Sequence, residues 1–265
     1  PSTVYNLPNA INEFLYYLEQ NQIETIEKVD APIIEAYWQY LRSRPNERRG
    51  GGLSTGYLKK HHQALTNFAR YLQLHNNITI SINIHLPEIQ DQVITVLTRK
   101  DIQDIYDVID STPIGLRDRA MMAVYYGCGL RRNEGVQLNV KDVMLDNRMI
   151  HVVHGKGYKE RYVPIANQCL IDLREYITVA RVKLLKKDKG EPALFINEKG
   201  YRITGQGLYR RLKQLWEQTG NVMPIGLHTL RHSIATHLLA EGMPLDRIAV
   251  FLGHASTEST QVYTH

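Results

Sequence analysis

Cysteine is scarce in this chain of 265 residues: Cys128 and Cys169 are the only two. Neither belongs to a Cys-x-x-Cys pair, which argues against a zinc ribbon, and a lone pair of thiols fits a reducing cytoplasm with both buried and free. No apolar run approaches the roughly 18 residues of a membrane span. The chain opens on Pro1 rather than Met, without a basic-plus-apolar leader, so no secretion signal and no membrane association are expected, and a processed or shortened N-terminus is. No internal repeat or low-complexity tract is found. His-Glu-x-x-His is absent too, so the histidines form no zinc-hydrolase motif.

What is present is a basic, globular composition. Hydrophobic residues make up 43% and charged residues 22%, enough for real cores. The formal net charge is +5, which favours a polyanionic partner. Residues 1–90 hold eight Lys/Arg and eight Asp/Glu, so the whole surplus lies in the remainder.

Periodicity divides the chain. Ile11, Phe14, Leu15 and Leu18 mark one helix face; Ile33, Ile34, Tyr37 and Leu41 mark a second helix, from Ala31 to about Arg42. Ser54 or Thr55 caps a third, with Leu58, Leu65, Phe68 and Leu72 turned inward. Residues 84–97 carry a proline and no period, and the linker is placed at 89–97. Thr98-Arg-Lys-Asp101 has the pattern of a capping box, opening a helix through Ile109. Another helix is expected over Leu116–Cys128. Met149–Val153 and Arg161–Ile165 alternate as short strands, with Gly155-Lys-Gly157 as the turn between them. Helices are expected again over 168–187, 204–218, 229–241 and 244–252. The fold class is thus mainly α with a small antiparallel β-sheet.

Four stretches concentrate reactive side chains: Gly127-Cys-Gly-Leu-Arg-Arg-Asn-Glu134, His154-Gly-Lys-Gly-Tyr-Lys-Glu-Arg161, His228-Thr-Leu-Arg-His232, and Leu252-Gly-His254 with Tyr263 nine positions on. Taken alone, His228-x-x-Arg231 is a short pair on one helix face and says little. Together, the four resemble the signature segments of the tyrosine recombinase (phage integrase) family, which includes the Xer and Cre enzymes, in the same order and with similar spacing. The resemblance covers roughly 98–265.

The resemblance implies a two-domain DNA clamp: a helical, SAM-like core-binding domain over 1–88, the linker, and a catalytic domain over 98–265. It implies that Tyr263 attacks a DNA phosphodiester, giving a 3′-phosphotyrosine and a free 5′-hydroxyl. A second 5′-hydroxyl then reverses the step, so no cofactor and no metal are required. Arg131 and Arg231 match the two arginines that clamp the phosphate, Lys156 the proton donor to the leaving oxygen, His228 a general base or phosphate donor, and His254 a phosphate donor. Glu134 matches an acidic residue that braces the site. Arg132 and Arg247 are read as solvated, and His232 and His237 as packing or helix-surface residues without chemistry.

The partners implied are double-stranded DNA and further protomers, a dimer on one site and a tetramer in the synapse. Phosphate contacts are expected from local basic clusters: Arg42, Arg44, Arg48, Arg49, Lys59, Lys60, Lys159 and Arg161. The chain stops two residues past Tyr263, where family members continue with a helix that docks on a neighbour, so weak assembly is expected. The biological role is either chromosome dimer resolution or integration and excision of a mobile element. The rival activities are a type IB topoisomerase-like relaxer and, in a different class, a catalytically inactive DNA-binding accessory protein.

Overall fold

The computed structural model describes residues 2–47, 50–86, 95–153, 160–185 and 190–253, with the side chains of 2–6 excepted. The chain divides into two compact units, Pro1–Gln92 and Val93–His265.

The first unit holds three helices: α1 (Ser2–Gln20), α2 (Ala31–Ser43) and α3 (Thr55–Asn76). Local chemistry sets their ends. The Asp30 carboxylate accepts from the Ile33 amide (3.0 Å) ahead of Pro32 in the first turn of α2, and Ser54 caps α3 by accepting from Tyr57 (3.3 Å). Asn77 ends α3 in the left-handed region, φ +55°. The core joins Phe14 and Leu18 to Ile34, Tyr37, Trp38 and Leu41, and to Leu58, Leu65 and Leu72. Leu15, expected inside, is exposed at the edge of its helix face. Inside the bundle, the Tyr37 hydroxyl lies 3.1 Å from Nδ1 of the fully buried His61, and Arg44 is ion-paired to Glu13 at 2.6 Å.

The second unit packs helices around a three-stranded antiparallel sheet. α4 (Arg99–Asp107) opens on the expected capping box: the Asp101 carboxylate accepts from the Thr98 amide (2.8 Å), and the Thr98 hydroxyl accepts from the Asp101 amide (3.1 Å). α5 runs Pro113–Met122, starting earlier than the apolar pattern suggested because Thr112 caps it and Pro113 suits its first position. It continues as a π-helical turn over Ala123–Gly127, where Cys128 bonds back to the Ala123 carbonyl (2.8 Å). After α6 (Arg132–Gln137) come β1 (Val143–Met144), β2 (Met149–Val152) and β3 (Arg161–Pro164), in that spatial order. The register pairs Ile150 with Val163 and Val152 with Arg161, so Arg161 shares the inward face.

The long helix expected over 168–187 is α7 (Asn167–Glu175), a π-helical turn (Tyr176–Ala180) and α8 (Arg181–Leu184). α9 (Gly205–Gln218), α10 (Leu227–Ala240) and α11 (Leu245–Leu252) complete the unit. Its core gathers Met121, Tyr125, Leu130, Ile150, Val163, Leu173, Phe195, Leu212, Trp216 and Leu230. The Gly155–Gly157 turn lies outside the described residues.

Candidate active site

Arg131 stands at the N-cap of α6, reached through Gly129, whose φ of +59° turns the chain sharply. A Cβ on Gly129 would come within 2.9 Å of Leu252 Cδ2, so glycine is required there for space as well as for conformation. The Arg131 amide donates to Glu134 Oε2 (2.8 Å), the acidic half of a capping box. Its guanidinium donates to Glu134 Oε1 (2.8 Å) and to the Gly253 carbonyl (2.7 Å).

Arg231 rises from the second turn of α10 and is 4% exposed. It donates to the Gly129 carbonyl (2.6 Å) and to the Leu252 carbonyl (2.8 Å). Arg131 and Arg231, a hundred residues apart in sequence, therefore hold the carbonyls of two adjacent residues. Adjacent Cα atoms are about 3.8 Å apart, so these contacts hold the two guanidinium groups close to one another. The acceptors are the last carbonyls of α11, where unpaired C=O groups and the helix dipole favour cations. Gly253 ends α11 at φ +65°, and a Cβ there would lie 2.7 Å from Arg161 Cδ. The glycine of Leu-Gly-His is thus needed both for its left-handed backbone and for the arginine packed on it.

Glu134 is the anion that organises this cluster. It is 3% exposed and accepts both Nη1 and Nη2 of Arg161, each at 2.9 Å, in addition to Arg131. Burial alone would push its carboxyl up, but the Arg161 and Arg131 hydrogen bonds outweigh that and hold it at about 2. One buried carboxylate thus ties Arg131 and Arg161 together. Arg161, expected among the DNA-contacting cations, has its guanidinium bidentate on Glu134. The signal was legible: two-residue alternation in β3 turns Arg161 to the same side as buried Val163.

His228 begins α10 one turn before Arg231 and is exposed. Partial desolvation, then Arg231, Arg132 and Arg131, push its pKa below that of an ordinary histidine, which favours the neutral ring, the form able to accept a proton. Arg132, read from sequence as merely solvated, contributes to this field, and its side chain packs on Gly205. Four guanidinium groups against one carboxylate leave the pocket electropositive, suited to an anion.

Of the six residues expected to be catalytic, the structure brings Arg131, His228 and Arg231 together; Lys156, His254 and Tyr263 lie outside the described residues. So do Arg48, Arg49 and Lys159 among the expected DNA contacts. Arg42 and Lys60 are exposed and Lys59 half-buried, whereas Arg44 is ion-paired with Glu13. Among the described residues no group of three or more His, Cys, Asp and Glu could hold a metal ion, and no helix is long and apolar enough to cross a membrane.

The phage integrase family matches residues 95–265. Tyrosine recombinase XerD of Oceanobacillus iheyensis is 32% identical over 268 residues, covering 100% of this chain and 87% of that protein. Tyrosine recombinase XerC of Bacillus subtilis is 34% identical over 268 residues, covering 99% and 85%. Among solved structures, XerH site-specific recombinase bound to its difH substrate before cleavage aligns with a TM-score of 0.70 and 27% identity, covering 92% of this chain and 69% of that one.

Proposed function

The chain belongs to the phage integrase family and is a tyrosine-type site-specific recombinase, and from that premise we propose that it cuts and rejoins double-stranded DNA through a covalent bond to Tyr263. The observation that carries this reading is the pair Arg131 and Arg231 held on the adjacent carbonyls of Leu252 and Gly253, immediately before His254.

The chemistry follows from the charge. In-line attack on a phosphodiester builds negative charge on the non-bridging oxygens, and positioned cations stabilise it. A guanidinium has five N–H donors in a planar fork, enough to keep its carbonyl and engage a phosphate as well. Tyr263 contributes its oxygen, forming the bond to the 3′-phosphate as the 5′-oxygen leaves. Neutral His228 accepts the phenolic proton, Lys156 donates one to the leaving 5′-oxygen, and His254 hydrogen-bonds a phosphate oxygen. A phenol with an ordinary pKa near 10 is about one part in a thousand ionised at pH 7, so an electropositive pocket favours the attacking form. Each transesterification exchanges one phosphodiester for another, which removes the need for a cofactor.

The helical unit serves as the second half of a clamp on the duplex, with Arg42, Lys59 and Lys60 as phosphate contacts, and protomers pair on a site and join as tetramers in the synapse. Arg44 and Arg161 are assigned to structural ion pairs. Dimer resolution and mobile-element exchange both run on these same two steps, and the flanking DNA sites decide between them.

A duplex nicked beside the cut tests the reading. The full chain should become covalently attached to the 3′ end, and Tyr263→Phe should abolish the adduct while DNA affinity stays within about twofold. An adduct that survives in Tyr263→Phe contradicts the assignment. Strand exchange between two labelled duplexes, rather than relaxation of a supercoiled circle alone, separates a recombinase from a relaxing enzyme.

A further inference from the structure

Helix α10 carries more than His228 and Arg231. Two residues after Arg231, the Ser233 hydroxyl donates to the Thr229 carbonyl (2.8 Å) and accepts from the Leu97 amide (2.8 Å). Leu97 is 1% exposed and immediately precedes the capping box of α4. Four residues after Ser233, His237 Nδ1 lies 2.9 Å from the Tyr126 hydroxyl, with the rings edge to face at 5.9 Å. Burial, then Arg99, lower the His237 pKa, while a hydrogen bond with the Leu97 backbone opposes them. In either ring tautomer the contact is a hydrogen bond between the tyrosine hydroxyl and Nδ1.

Tyr126 sits in the π-helical turn Ala123–Gly127, which leads directly into Gly129 and Arg131. Residues 233 and 237 lie one turn apart on a single face of α10. That face thus grips two things at once: Leu97, close to where the chain enters the second unit, and the turn that delivers Arg131. From sequence His237 is expected to be a packing or helix-surface residue. Packing alone does not call for a hydroxyl matched to a ring nitrogen, nor for a serine used as donor and acceptor together.

We propose that Ser233, His237 and Tyr126 are positioning residues that fix α10 against the π-helical turn, and so set Arg231 relative to Arg131 for phosphate capture. The proposal rests on the recombinase reading. None of the three need touch DNA; they act through the two arginines. Displacing a catalytic group by about 1 Å costs on the order of a hundredfold in rate. Loss of the node should therefore slow cleavage more than it weakens binding.

The test uses the full chain on the nicked duplex, measuring single-turnover adduct formation and DNA affinity in parallel. His237→Leu and Tyr126→Phe should each slow adduct formation about ten- to hundredfold, with affinity within about twofold of the parent. His237→Asn puts an amide oxygen near the Nδ1 position and should restore most of the rate. Tyr126→Phe removes a single hydroxyl, so it carries the test even where His237→Leu fails to fold. Parent-like rates in Tyr126→Phe overturn the proposal. So does a parallel fall in rate and affinity, or a His237→Asn chain no faster than His237→Leu. Absence of an adduct from the unmodified chain overturns the recombinase reading and this proposal together, whereas an adduct with indifferent variants overturns only the proposal.

Discussion

Glu134 shows how much of this site depends on one buried charge. It satisfies two arginines and a backbone amide, and its carboxyl is held at about 2, below the usual 4.5. A depressed carboxylate pKa stabilises the folded state fully above the unfolded value and loses that contribution as pH falls toward the folded one. Glu134→Gln leaves Arg161 buried against a neutral amide, at a cost of about 3 kcal/mol. Thermal melts of the two proteins should differ most at neutral pH, and the gap should close between about 4.5 and about 2. A gap that does not vary with pH contradicts the account. Arg131 shows a second feature at this scale: its one guanidinium both balances Glu134 and reaches the Gly253 carbonyl. A substitution there therefore disturbs binding and the brace together.

At the scale of elements, much was readable from local chemistry and some was not. Thr98 and Asp101, Ser54 before α3, and the alternation of β2 and β3 announce themselves because cap and pleat rules act over three or four residues. The π-helical turn after Met122 did not, because its extra residue is tolerated only once Tyr125 is buried and bonded to the Arg132 carbonyl (3.1 Å), a contact that periodicity does not encode. β1 has two residues and no pattern long enough to see. The pocket was legible as residue types at familiar spacing, while the Arg161–Glu134 pair and the Tyr126–His237 contact depend on how elements meet.

The end of α11 supplies a prediction at this scale. Gly253→Ala puts a Cβ within 2.7 Å of Arg161 Cδ in a left-handed conformation, which costs about 2 kcal/mol from backbone and crowding. The melting temperature should fall, and adduct formation should slow with it because Leu252 and Gly253 anchor both arginines. A melting temperature equal to the parent's contradicts this role for the glycine.

For the molecule as a whole, division of labour follows the charge. Residues 1–90 are electrically balanced by composition, and Arg44 is already paired among them. The second unit brings together segments up to 122 residues apart into one electropositive cluster, so its geometry depends on the fold being complete. Arg131 arrives from the α5–α6 connection, Arg231 from α10 and their shared acceptors from α11.

If the two arginines act as one phosphate clamp, their effects on cleavage cannot be independent. Single-turnover adduct formation on the nicked duplex should be measured for Arg131→Ala, Arg231→Ala and the double variant. Each single change should slow cleavage on the order of 10²- to 10³-fold, and the double variant should be little slower than the worse single one. A double variant whose loss equals the product of the two single losses would mean two separate roles, and would contradict the shared pocket.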